Sequence, residues 1–227
     1  MRHWVPLLLL LSTLPALAED LCFGFLNSHP DRAQIPQTQA EEIQKGHLEH
    51  MGNMAKAGRL LAAGPLMDAG TMRGIVVYRC SALEEAAAWT AKDPAVVNKR
   101  LTLDLHLWRG PNNFGEPLAS QLKIDPTAKY EMTKLPLILF RKTSSWTSAG
   151  PSDILAEQRA EVRKLQDKLR TSGPFLNSKE LAEIWVMKDM PLEQATSLAQ
   201  SMPLVRSGYA TAQTLTWFVA DESIPKP

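Results

Sequence analysis

Apolar residues recur along residues 38–57 at the spacing of one helix face. At 100° per residue, four of them fall within about 120° of arc: Ala40, Ile43, Met51 and Met54. This pattern predicts an amphipathic helix with one buried stripe. His47 lies inside the stripe and His50 lies at its edge. The His47 imidazole is therefore expected to point at the core, or into a cavity beside it, where it needs a hydrogen-bond partner.

Segments rich in β-branched or alternating apolar residues surround this helix and predict strands. The predicted strands are residues 21–26, 59–63, 73–80 and 101–108, and a second helix covers 83–92. Gly64-Pro65 is expected to end the second strand, and Asp93-Pro94 the second helix. The last strand alternates strictly, with Thr102, Asp104, His106 and Trp108 on the face opposite four leucines. The resulting order, βαββαβ, is that of a ferredoxin-like unit.

The same pattern returns after a segment rich in Gly, Pro and Asn at 110–115. A strand is predicted at 135–140 and a helix at 154–169. Identical residues recur at a constant separation of 109 positions: Gly64-Pro65 with Gly173-Pro174, Ile75 and Val77 with Ile184 and Val186, Leu83-Glu84 with Leu192-Glu193, and Pro94, Val96 and Trp108 with Pro203, Val205 and Trp217. The sequence therefore predicts a duplicated α+β unit.

Each predicted unit has both helices on one face of a four-stranded sheet, so its other face must be buried elsewhere. Packing the two sheets against each other gives a pseudo-dimer within one chain, and a monomer is expected. The predicted boundaries are a signal peptide at 1–18, a first unit at 19–110, a linker at 111–133 and a second unit at 134–227. The space between the sheets is expected to be either core or a pocket, and the candidate residues that would line such a pocket are His50, Asp104, His106 and Trp108.

The amino terminus has the pattern of a cleaved signal peptide. Arg2 precedes an apolar run at 4–11, and Ala16-Leu17-Ala18 has the small residues that signal peptidase recognises. We expect cleavage after Ala18 and a periplasmic or secreted protein with no further membrane contact. In an oxidising compartment Cys22 and Cys80 are expected to pair, because the first and third strands of such a sheet are neighbours.

Charge and motif content exclude several partners. The leader holds one basic and no acidic residue, which leaves 24 basic and 24 acidic side chains. A balanced charge favours neither nucleic acid nor an anionic membrane. His47 and His50 have no third ligand at a suitable spacing, and no phosphate loop or CxxC motif is present. No metal and no cofactor are therefore expected.

Four motifs resemble the YciI (YCII-related) family: Gly46-His47-Leu48, the run from Ala57 to Pro65, Leu83-Glu84-Glu85-Ala86 and Asp93-Pro94. The resemblance covers residues 21–109 well and 135–220 only weakly. It implies a dimeric α+β barrel whose active site is a His-Asp pair, at His47 and Asp93 in this chain. A carboxylate that fixes an imidazole tautomer makes it a general acid and base near neutral pH.

Both residues also have a purely structural interpretation. Asp93 before Pro94 is a good helix N-cap, and His47 could be a hydrogen-bonded core histidine. At a separation of 109, Ala156 and Met202 stand at the corresponding positions of the second half, which has no histidine, although a gap in the helix could move the first of these matches by a turn. The leading hypothesis is one site per chain, performing acid–base chemistry on an unidentified small molecule. The alternative is a non-catalytic binding, structural or accessory protein with a vestigial site.

Overall fold

The computed structural model describes residues 19–67, 69–125, 127–147 and 150–225; the predicted signal peptide lies outside these ranges. The first half contains β1 (Glu19–Ser28), α1 (Gln37–Lys56), β2 (Leu60–Met67), β3 (Met72–Tyr78), α2 (Leu83–Thr90), α3 (Pro94–Val97) and β4 (Leu101–Gly110). A connecting helix, α4 (Glu116–Ile124), follows. The second half contains β5 (Met132–Lys142), α5 (Ser152–Lys164), β6 (Leu169–Pro174), β7 (Leu181–Met187), α6 (Leu192–Ser201), α7 (Pro203–Arg206) and β8 (Ala210–Ala220). Across the described ranges, no helix has the length and apolar character needed to cross a membrane.

All eight strands are antiparallel and form one sheet in the order β4-β1-β3-β2-β8-β5-β7-β6. The halves join where Leu66 of β2 pairs with Trp217 of β8. At the opposite edges, a bridge joins Trp108 of β4 to Phe175, just after β6. The Leu176 amide adds a hydrogen bond of 2.8 Å to the Leu107 carbonyl. The sheet therefore curves until its two edge strands meet, as in an α+β barrel.

The prediction that Gly64-Pro65 ends β2 is wrong, since the strand continues to Met67. Glycine and proline together usually favour a turn, but here the glycine permits a close approach of two backbones. A Cβ atom at Gly64 would overlap the carbonyl oxygen of Phe218 on β8. Gly173 has the same relation to the carbonyl of Arg109. These two glycines are therefore required at the two junctions between the halves.

Aromatic side chains fill the interior of the curved sheet. Trp108 is fully buried, with its ring centroid 5.4 Å from that of Phe23 and 5.3 Å from that of Phe114. The His106 ring packs 5.5 Å from Phe175. The Asp104 side chain is exposed, although one of its oxygens lies 3.1 Å from His106 Nε2. Of the two alternatives for this space, aromatic rings from both halves favour core over a pocket at Trp108 and His106.

The predicted linker at 111–133 contains the helix α4. It begins after Gly115, which has a left-handed φ of 77° and whose Cβ position is blocked by Leu61. Leu118 and Leu122, one helical turn apart, both face the cleft described below. The glycine- and proline-rich start of the segment favoured a loop, and this short apolar stripe was the signal that it contains a helix.

The helix predicted at 154–169 ends earlier, at Lys164, because Leu169 already pairs with Met187.

Cys22 and Cys80 form a disulfide with a Cα–Cα distance of 5.9 Å. Cys22 lies in β1 opposite Tyr78 of β3, and Cys80 follows the end of β3. The bond therefore ties two adjacent central strands at one end of the sheet.

Replacing Gly64 or Gly173 with alanine is expected to destabilise the protein by about 2 kcal/mol or more, because the added methyl group collides with a backbone carbonyl. Gly52→Ala is the control: nothing lies within 4 Å of its Cβ position on α1, and alanine should stabilise the helix by about 0.5–1 kcal/mol. Guanidinium denaturation of the three variants measures both effects. Gly64→Ala and Gly173→Ala proteins as stable as the wild type would contradict the close junctions.

Candidate active site

A cleft of about 1740 Å³ lies between α1, α4 and the neighbouring strands β2 and β3. Apolar side chains line much of it, including Leu26, Ile43, Met51 and Leu101. Basic side chains also line it, including Arg32, Arg73 and Arg100. The cleft reaches Leu26 and Val76, which pack with Met54 of α1 in the core beneath the helix.

His47 reaches this cleft from the buried stripe of α1. Ile43, Met51 and Met54 share its face of the helix, and Met54 packs into the core beneath. The His47 side chain is 13% exposed, and its Nδ1 lies 2.7 Å from Asp93 Oδ2. The helical spacing therefore places the imidazole between the core and the cleft, in contact with a carboxylate 46 residues away in sequence.

Asp93 uses its two carboxylate oxygens for different contacts. Oδ1 accepts a hydrogen bond of 2.8 Å from the Ala95 amide and caps α3, with Pro94 in the first turn. Oδ2 accepts from His47 Nδ1, and the Asp93 side chain is 1% exposed. The N-cap and the partner of His47 are therefore the same residue, and neither role excludes the other.

The hydrogen bond to Asp93 fixes the tautomer of His47. A carboxylate only accepts hydrogen bonds, so Nδ1 carries the hydrogen and the neutral ring has its lone pair on Nε2. Within the described ranges Nε2 has no hydrogen-bond partner, and the ring lines the cleft. This arrangement can take a proton from a bound molecule at Nε2 and return it, with the carboxylate stabilising the imidazolium between the two steps.

Tyr78 lies near Asp93 beneath the site. Its hydroxyl is 3.1 Å from Thr90 Oγ1, and Thr90 itself donates to the Ala86 carbonyl. Burial raises the pKa of Tyr78 to about 12; the Asp93 charge acts in the same direction and the Thr90 hydrogen bond opposes it. Tyr78 is therefore neutral at physiological pH, and its hydroxyl is hydrogen-bonded to Thr90 and not to Asp93.

The remaining predicted site residues lie apart from the cleft. His50 Nε2 is buried without a hydrogen-bond partner in the described part of the chain, and His50 does not line the cleft. No group of three or more His, Cys, Asp or Glu side chains in the described ranges could hold a metal ion. The sequence did not point to Arg32 and Arg100, because each lies in a polar connection with no periodic pattern.

The second half replaces the His47–Asp93 pair with a glutamine. The α1 stripe has a counterpart on α5: Ile154, Gln158, Val162 and Leu165 have the spacing of Ile43, His47, Met51 and Met54. Gln158 Oε1 accepts from the Leu204 amide at 3.3 Å, and Leu204 stands 109 positions after Ala95. The counterpart of His47 is therefore Gln158. A constant separation of 109 points to Ala156 instead, but α5 is shifted by two residues relative to α1. Gln158 caps α7, where Met202 supplies no side-chain acceptor.

Gln158 also donates a hydrogen bond to the carboxyl group of Glu183, on β7. Burial raises the pKa of Glu183 from 4.5 to about 7, and the hydrogen bond from Gln158 only partly opposes this effect. At pH values between 4.5 and about 7, the Glu183 carboxyl of the native protein retains a proton that the same group of the unfolded chain has released. The stability that the protonated carboxyl provides is therefore complete below pH 4.5 and is lost as the pH rises through about 7.

The unfolding free energy is expected to fall by about 3 kcal/mol between acidic and weakly basic pH because of Glu183. Glu183→Gln, which is neutral at every pH, should lose much less. The exposed neighbour Glu157 provides the control variant Glu157→Gln, which should behave as the wild type. Chemical denaturation at pH 5 and pH 8 measures the difference; an equal loss in all three proteins would show that Glu183 does not change its protonation state between these values in the native protein.

Comparison with protein families places the site in a known domain. Residues 25–101, which include His47 and Asp93, match the model of the YCII-related domain. This match, over residues 25–101, confirms the resemblance found in the motifs of the first half. No curated protein matches the sequence significantly.

Solved structures with a similar fold cover most of the chain. Chlorite dismutase from Candidatus Nitrospira defluvii has a TM-score of 0.53 at 11% identity, over 89% of this chain and 91% of that one. A haem-binding protein from Thermus thermophilus has a TM-score of 0.50 at 12% identity, over 93% and 96%. A monooxygenase from Lactobacillus acidophilus, named putative, has a TM-score of 0.45 at 13% identity, over 92% and 97%. At these identities the first two show the α+β barrel fold and nothing about chemistry.

Proposed function

We propose that the cleft of the first half is an active site for acid–base chemistry on a small molecule. His47 is the catalytic residue and Asp93 its positioning residue. One observation carries the proposal: Nδ1 lies 2.7 Å from a buried carboxylate, which leaves Nε2 for a ligand, and the ring lines a cleft large enough for a metabolite.

The proposed step is a proton transfer. Nε2 removes a proton from a C–H or O–H group of the bound molecule, and the electron pair of that bond stays on the substrate. The imidazolium, held by Asp93, then returns the proton to another atom of the substrate or to a leaving group. A positioned general base of this kind contributes roughly 10²–10⁴-fold to the rate.

We further propose that the chain is a duplicated unit folded as an intrachain pseudo-dimer, with a second half that retains the fold and has lost the site. The two junctions support this proposal, because Leu66–Trp217 and Trp108–Phe175 are equivalent pairs at a separation of 109. Strand irregularities at Leu60/Ala62 and Leu169/Thr171 have the same separation. On this account each chain has one site, because Gln158 cannot exchange a proton near neutral pH.

The second candidate function is ligand binding without chemistry. Asp93 would be retained as a cap of α3, and the size of the cleft supports a bound molecule. One fold neighbour is named for haem, and in the described part of this chain His47 is the histidine that lines the cleft and could supply an iron ligand through Nε2. Iron at Nε2 would prevent proton transfer there, so haem in the purified protein would contradict the acid–base proposal.

His47→Gln is expected to abolish turnover, with a loss of about 10²-fold or more, because glutamine retains hydrogen bonding but cannot exchange a proton. Asp93→Asn should lower turnover without uncapping α3, because the amide oxygen of the new side chain can still accept from the Ala95 amide. The assay incubates each protein with a metabolite extract and identifies the compounds consumed by mass spectrometry.

His29→Gln is the matched control, since His29 belongs to the same half and does not line the cleft. It should consume the same compounds as the wild type. Consumption that is equal in the wild type and His47→Gln would reject His47 as the catalytic residue. A wild-type protein that consumes nothing but retains a compound through purification would favour the binding function.

We also propose that the protein is exported and that residues 1–18 are removed. The leader pattern and the disulfide between Cys22 and Cys80 support export, because such bonds persist in oxidising compartments. Expression with the leader in a bacterial host should give periplasmic or secreted protein with Glu19 as its first residue in amino-terminal sequencing. Protein that retains residues 1–18 in the cytosol would overturn this assignment.

A further inference from the structure

Three arginines lie together at one end of the cleft. Arg32 follows β1, Arg73 lies at the start of β3, and Arg100 immediately precedes β4. Strand pairing brings these positions together, since β1 is flanked by β3 and β4 in the sheet. All three line the cavity that His47 also lines.

Each guanidinium is held by a contact with the local chain. Arg100 Nη1 donates to the Ala33 carbonyl at 2.6 Å, and Arg73 Nε donates to Ser28 Oγ at 2.7 Å. Arg32 Nη1 lies 3.5 Å from the Arg100 carbonyl. A guanidinium has five N–H donors, so each of the three retains several for a ligand. The anchoring contacts reduce the entropy that binding an anion would otherwise cost.

No carboxylate forms an ion pair with any of these three arginines in the described ranges. By contrast, Arg109 pairs with Asp20 and Arg170 with Asp221. Desolvation, followed by the positive charges of Arg100 and Arg73, lowers the pKa of Arg32. The three like charges therefore repel one another, and an anion placed among them would relieve this repulsion while accepting charge-assisted hydrogen bonds.

The arginine cluster is connected to the proposed catalytic pair through α3. The Arg100 amide donates to the Ala95 carbonyl at 2.7 Å. The Ala95 amide in turn donates to Asp93 Oδ1 at 2.8 Å, and Asp93 Oδ2 holds His47. One short helix therefore fixes the cluster and the imidazole relative to each other, with apolar side chains of the cleft beside them.

We propose that Arg32, Arg73 and Arg100 bind the oxyanion group, carboxylate or phosphate, of an amphipathic small molecule whose apolar body occupies the cleft. This inference rests on the proposed function in one respect, namely that the same molecule presents its reacting atom to His47. The apolar body would lie against Leu26, Ile43 and Met51. The anion fixes orientation, and the apolar surface contributes affinity.

Three probes with a common ring test the proposal by calorimetry on the full mature chain: phenyl phosphate, benzoate and benzyl alcohol. At least one anion should bind tenfold or more tightly than the neutral alcohol, and the stronger of the two identifies the head group. The double variant Arg32→Gln/Arg73→Gln should weaken anion binding by about tenfold or more, because two charge-assisted contacts are lost. Both side chains are exposed, so folding should be unaffected.

Arg163→Gln removes the same charge from an exposed position on α5 and should bind all probes as the wild type does. Equal affinity for the anions and the alcohol would overturn the proposal. So would unchanged anion binding in the double variant, or no binding of either anion at millimolar concentration.

His47→Gln separates this inference from the proposed function. It should retain the wild-type preference for the anions over benzyl alcohol, because the arginines are intact. If the anions bind but His47→Gln leaves metabolite consumption unchanged, only the catalytic role fails. If consumption depends on His47 but the double variant binds anions normally, only the arginine site fails.

Discussion

The carboxylate of Asp93 is the constraint on which the site depends. One oxygen holds the first turn of α3, and the other holds the His47 ring. Because the carboxylate is buried, both contacts are made in a medium where an unpaired charge would be costly. Orientation of the imidazole is therefore coupled to the folding of the segment that supports it, and the site is formed before any ligand arrives.

The second half shows what happens when that carboxylate is absent. Gln158 reaches the amide that corresponds to the one capped by Asp93, so the helix start is satisfied by a neutral side chain. The amide nitrogen of Gln158 donates a hydrogen bond to Glu183, whose carboxyl group is stabilised in the neutral form by burial. Gln158 thus caps the helix without an imidazole or its exchangeable proton. This contrast within one chain supports a chemical role for the pair in the first half, since capping alone does not require a histidine.

Sequence patterns predicted the elements better than their junctions. The apolar stripe placed His47 at the edge of the core, and Asp93-Pro94 marked a helix start, because both are local regularities. The continuation of β2 through Gly64 could not be foreseen, since the reason for this glycine is a carbonyl on β8, more than 150 residues away in sequence. Whether the space around Trp108 is core or pocket could not be decided for a similar reason: strict alternation gives the face of a residue but not what packs against it. Arg32 and Arg100 are brought together only by strand order.

The central claim is that Asp93 holds His47 as the Nδ1–H tautomer with Nε2 open to the cleft. Nitrogen-15 NMR of the imidazole side chains, at a pH where His47 is neutral, tests it most directly. The account predicts a protonated Nδ1 and an unprotonated Nε2 for His47, and a loss of this preference in Asp93→Asn. A ring protonated at Nε2, or one that averages between tautomers like a free imidazole, would contradict it.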